Sequence, residues 1–121
     1  MKTINTKNAP QAIGPYSQAK VIGNLVFTSG QIPLKPDGSI VSGNFEEESI
    51  QVLNNIDEIL KAAGSNMGNI IKLTVYLNDL SNFNILNKVF ENCFLESFPA
   101  RSTVEVSKLP KDVRVEIEAI G

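Results

Sequence analysis

Residues 44–78 read NFEEESIQVLNNIDEILKAAGSNMGNIIKLTVYLN, and the two periods inside that stretch decide the fold class. Asn44 has the form of a helix N-cap, with Glu47 three residues on. Leu53, Ile56, Leu60 and Ala63 recur at spacings of three and four, with Ile50 and Ile59 beside them, and Gly64 stands where a helix closes. This predicts an amphipathic helix of roughly five turns. The period then changes to two. Ile71, Leu73, Val75 and Leu77 alternate with Lys72, Thr74, Tyr76 and Asn78, which is the pattern of a half-buried strand.

Working outward, the chain repeats both signals. After Asp79 and Ser81, the residues Phe83, Leu86, Phe90 and Phe94 mark one side of a second helix that should run to about Phe98-Pro99. Before the first helix, Gln18–Ile22 and Leu25–Ser29 flank Gly23-Asn24, a two-residue connection suited to a hairpin. Pro33 to Gly43, with Pro36-Asp37-Gly38, reads as a loop. Ser102–Val106 and Val113–Ala119 read as strands around Leu109-Pro110-Lys111-Asp112. This order predicts an α+β domain, a mixed sheet with two helices packed on one face. The other face is then left to solvent or to a partner, and its alternates Lys72, Thr74, Tyr76 and Asn78 suit either.

Composition narrows the chemistry. The 121 residues (13.2 kDa, 42% hydrophobic) suffice for one domain over 1–121 with its own core. Net charge is −2 and the pI is near 5.1, so no basic excess invites nucleic acid or an anionic membrane. There is no histidine and one cysteine, which excludes an intrachain disulfide, Cys/His zinc sites and Ser-His-Asp or Cys-His nucleophiles. Any catalysis falls to carboxylates, arginine or lysine, hydroxyls, backbone amides and water. The first residues lack the apolar run of a signal peptide and no stretch reaches membrane-spanning length, so a cytoplasmic protein is expected.

Candidate site residues follow from strand alternation. Arg101, Thr103 and Glu105 share one face of their strand, and Arg114, Glu116 and Glu118 share one face of the last. Were these strands neighbours, an arginine, a hydroxyl and a carboxylate would converge. An arginine fork suits a substrate carboxylate, and a carboxylate can position or deprotonate water. Alternating charges on strands are ordinary, and from the pattern alone they read first as a solvated sheet face. Tyr16 reads as a loop aromatic, Ser29 as a strand-end hydroxyl, Asn87 as a surface residue and Cys93 as a small core residue.

Taken together, Asn8-Ala9-Pro10, Ala12 to Ala19 (AIGPYSQA), Thr28 to Pro33 (TSGQIP), Asn54-Asn55-Ile56 and Ala62-Ala63-Gly64 resemble the RidA family, also called the YjgF/YER/UK type. Lys72 to Leu77 (KLTVYL), Phe98 to Ser102 (FPARS), Leu109 to Asp112 (LPKD) and Glu116 to Ala119 (EIEA) extend the match over nearly the whole chain. The resemblance implies a chorismate-mutase-like α+β protomer, a homotrimer with sites in the clefts between subunits, and no cofactor or metal. It implies hydrolysis of 2-iminobutanoate, 2-iminopropanoate and their enamine tautomers, released by pyridoxal-phosphate enzymes, to 2-keto acids and ammonia. Carried over by motif, Arg101 holds the substrate carboxylate and Glu116 orders the attacking water. Tyr16, Ser29, Gly30, Asn87 and Thr103 line the pocket. Thr103 stands where many members have cysteine, and the segment before Pro99 is a few residues shorter than in some.

Two other functions attach to the same reading. One is an endoribonuclease or translation inhibitor, against which stand the missing histidine and the acidic charge. The other is a non-catalytic module, a regulator or chaperone, that binds small carboxylates through Arg101.

Overall fold

The computed structural model describes residues 1–121. Helix α1 spans Phe45–Ala62 and begins as its sequence dictates: Asn44 Oδ1 accepts the Glu47 N–H at 2.8 Å, and Glu46, Glu47 and Glu48 lie at the positive end of the helix dipole. Lys61 answers in the last turn, paired with Asp57 at 3.1 Å. Gly64, at φ +85°, takes the left-handed conformation that closes the helix. Val52, Leu53, Ile56, Ile59 and Leu60 are buried, each contributing about 2 kcal/mol of hydrophobic stabilisation. Ile50, expected on that stripe, is exposed at its edge instead, and Val52 takes the core position.

The sheet has six strands in the order β1-β2-β3-β6-β4-β5. They are β1 Lys2–Ile4, β2 Ala19–Ile22, β3 Leu25–Thr28, β4 Lys72–Leu77, β5 Ala100–Glu105 and β6 Val115–Ile120. β4 runs parallel to β5 and antiparallel to β6, which makes the sheet mixed. Leu73, Val75 and Leu77 of β4 join Val115, Ile117 and Ala119 of β6 and the buried face of α1 in one core. Helix α2, Phe83–Cys93, adds Leu86, Val89 and Phe90 to the same core, so both helices cover one face. No helix is long and apolar enough to cross a membrane.

The structure departs from the sequence reading in further places. β1 was not anticipated; three residues are too few to show alternation, and the strand exists because β2 offers Ala19, Lys20 and Val21 as partners. Helix α2 ends at Cys93 rather than near Pro99, because Phe94 leaves the helical region at φ −113°, ψ 86°. Cys93 is exposed rather than in the core. Most consequentially, β5 and β6 are not neighbours, because β4 lies between them.

Candidate active site

Residues opposite each other on paired strands share a face. Arg101 pairs with Leu73, and Thr103 with Val75, so both project toward the helices. There the Arg101 guanidinium donates to Asn87 Oδ1 at 2.9 Å and lies 5.1 and 5.2 Å from the ring centres of Phe83 and Phe90. Phe83, Asn87 and Phe90 recur along α2 at spacings of four and three, which is why one helix face presents them together. Asn87 therefore orients Arg101 rather than meeting solvent alone. Burial lowers the Arg101 pKa, yet a guanidinium stays charged at any physiological pH. A cleft of about 270 Å³ opens here, between Asn87, Glu91, Phe98 and Arg101.

Glu116 sits elsewhere. It pairs with Tyr76, which pairs with Val104, and so it occupies the helix-free face. From the register, Arg101 and Glu116 lie two strands and three residues apart, about 14 Å between α-carbons, on opposite faces of the sheet. The convergence that neighbouring strands would have given does not occur within one chain. Arg114 is also diverted: it pairs with Glu48 and donates to the Gly43 carbonyl at 3.2 Å, tying β6 to the start of α1.

Around Glu116 is a cavity of about 560 Å³ that Tyr16, Ser29, Gly30, Ile32 and Lys111 help to line. A bulge in β3 makes its floor. Phe27 pairs with Ile120 and Gln31 with Ile117, leaving three residues on one strand against two on the other. Thr28 Oγ1 fills the missing rung by accepting the Ala119 N–H at 3.0 Å, while Ser29 Oγ donates to the Ser17 carbonyl at 2.5 Å. Gly30 then passes so close to β6 that a Cβ there would stand 2.0 Å from Glu116 Oε2. Burial, and secondarily the nearby Glu118 charge, raise the Glu116 pKa above its ordinary value. Glu118 itself accepts a hydrogen bond from the Tyr76 hydroxyl, which lifts the Tyr76 pKa.

A family model described as endoribonuclease L-PSP matches residues 6–121. The chain belongs to that family, the YjgF/RidA family. Among relatives, it is 53% identical to a RutC family protein of Pyrococcus horikoshii, covering 99% of this chain and 96% of that one. It is 49% identical to the 2-iminobutanoate/2-iminopropanoate deaminase of Escherichia coli K12, covering 99% and 96%. The crystal structure of E. coli TdcF with bound serine superposes with a TM-score of 0.93 at 45% identity, covering 100% and 98%.

This RidA-family chain thus holds the sequence-predicted residues in two groups. Tyr16, Ser29, Gly30 and Glu116 meet in one cavity; Arg101 and Asn87 meet in another. Thr103 lines neither, and its Oγ1 is buried without a hydrogen-bond partner. Sequence reasoning missed Gln18. Only 2% exposed, it accepts the Thr6 N–H at 2.7 Å, donates to the Thr6 and Pro10 carbonyls at 3.1 and 2.8 Å, and through its own carbonyl accepts the Ser29 N–H at 2.9 Å. It thereby fastens the arm before Tyr16 to the cavity floor. Asn55, 1% exposed on α1, fastens the far wall by donating to the Leu34 carbonyl at 2.8 Å. Single amides beside apolar periodic positions were the only signal for either.

Proposed function

We propose that this chain hydrolyses 2-imino acids, and their enamine tautomers, to 2-keto acids and ammonia, as a homotrimer whose clefts join Arg101 of one copy to Glu116 of the next. The observation that carries it is Glu116. Its carboxylate rests against Gly30 in a partly enclosed cavity, accepts no hydrogen bond from its own chain, and has a raised pKa. Such a group can bind a water and exchange a proton with it. The full-length likeness to a named imine deaminase and to a structure holding serine supports a small amino-acid-like substrate.

The chemistry asks little of the protein. A protonated imine is already electrophilic, so positioning and electrostatics suffice. Arg101, oriented by Asn87, forks the substrate carboxylate, while the backbone beside Gly30 frames the imine end. Water, ordered by Glu116, adds to the carbon of the protonated imine as Glu116 takes its proton; Glu116 returns that proton to nitrogen; the carbon–nitrogen bond then breaks as the hydroxyl oxygen becomes the carbonyl and gives its proton to Glu116, and ammonia leaves. The helix-free face, where Leu25, Phe27 and Val104 are exposed, is the surface we assign to subunit contact. An endoribonuclease, which the family description names, is less well supported, because histidine, the usual acid–base residue of metal-free RNA cleavage, is missing and the net charge is −2.

The test is the decay of 2-iminopropanoate and 2-iminobutanoate, generated in place by an amino-acid oxidase. Faster decay with wild type and none with Arg101→Ala is expected. No acceleration from a verified trimer would overturn the reading.

A further inference from the structure

Lys111 and Asp112 have φ values of +56° and +54°, and the Val113 N–H reaches back to the Pro110 carbonyl at 3.3 Å. This is a tight turn with both central residues left-handed, a geometry that favours Asn-Gly and strains a lysine. Such turns ordinarily serve hairpins, where their twist matches the strands. Here the turn joins β5 to β6, which are not paired, so no hairpin calls for it. It places Pro110 and Lys111 on the wall of the cavity that holds Glu116. Lys111 and Glu116 are the only charged residues lining that cavity. A carboxylate in a partly enclosed space repels a carboxylate ligand, and a cation at the rim offsets the repulsion.

We propose that Lys111 is a specificity-determining residue, the rim cation that draws the carboxylate of a 2-imino or 2-oxo acid into the space beside Glu116. The inference rests on the deaminase reading for its substrate, and adds to the Arg101 fork a point charge from the copy that supplies Glu116. It explains why the turn keeps a lysine where glycine would be free of strain.

The test is calorimetric titration with 2-oxobutanoate alongside turnover of 2-iminopropanoate, for wild type and Lys111→Asn, Lys111→Gly and Lys111→Arg. Asparagine and glycine both tolerate the left-handed backbone, so the fold survives. Both should weaken 2-oxobutanoate binding and raise KM by about tenfold, with kcat within about twofold and an unchanged or higher melting temperature. Arginine should restore binding to within about threefold. Wild-type affinity in Lys111→Asn, or a Lys111→Arg variant as weak as Lys111→Asn, would overturn the inference. Binding that depends on Lys111 without turnover by wild type would uphold it while removing the deaminase reading; turnover indifferent to Lys111 would do the reverse.

Discussion

Gly30 and Glu116 compete for one volume: a Cβ on Gly30 would stand 2.0 Å from Oε2, 2.9 Å from Cδ and 3.1 Å from Cγ of Glu116. The Gly30 backbone does not need glycine's freedom, so the absent side chain is there for the carboxylate. Gly30→Ala should push Glu116 aside while leaving the fold intact, because the far end of a flexible side chain can move. We expect imine hydrolysis to fall about 100-fold with a melting temperature close to wild type, checked by the oxidase-coupled assay and thermal unfolding.

Arg101 is held by a hydrogen bond and by two ring faces. Arg101→Lys keeps the charge but loses the fork, so kcat/KM should drop at least about tenfold. Asn87→Ala leaves the fork but not its orientation, and should raise KM more than it lowers kcat. Steady-state kinetics on both variants checks this.

Because Arg101 and Glu116 lie on opposite faces of one sheet, two inactive variants should rescue each other. Arg101→Ala and Glu116→Gln, unfolded together and refolded at equal concentration, should regain about a quarter of wild-type activity if each site draws one residue from each of two copies. No regain from a mixed oligomer would place both residues in one chain's site.

Glu116 binds its proton more tightly folded than unfolded. The folded state then holds the extra proton as pH rises past the ordinary value of 4.5, and stability falls across the window up to the raised pKa. Glu116→Gln abolishes that term. It should match wild type at acid pH and be the more stable of the two at neutral pH, as denaturant titrations at both pH values would show.

Thr103 buries a hydroxyl that nothing satisfies. Thr103→Val keeps the shape and removes the polar atom, and should stabilise the chain by about 1 kcal/mol. A lower unfolding midpoint would mean the hydroxyl is satisfied in the assembled protein.

The elements with strong local signals were legible in the sequence. The Asn44 cap and the apolar stripe of α1 depend on neighbours three and four residues away, and β4 on alternation. What depends on distant pairing was not legible. No local pattern says that β4 slips between β5 and β6, and the register of its two pairings puts Arg101 and Glu116 on opposite faces. Candidate residues were named through motif resemblance, whereas their partition into two cavities came only from strand register. The buried amides of Gln18 and Asn55, and the left-handed Lys111, matter through loops whose course depends on the rest of the fold.

The rung that Thr28 completes has a consequence for how β6 breathes. Elsewhere in β6, amides paired with backbone carbonyls release their hydrogens to solvent only when strands part. The Ala119 amide is guarded by a hydroxyl, which can turn away about a single bond. In deuterated water, Ala119 should therefore exchange faster than Ile117, whose N–H is bonded to the Gln31 carbonyl at 3.0 Å, although both lie in the same buried strand.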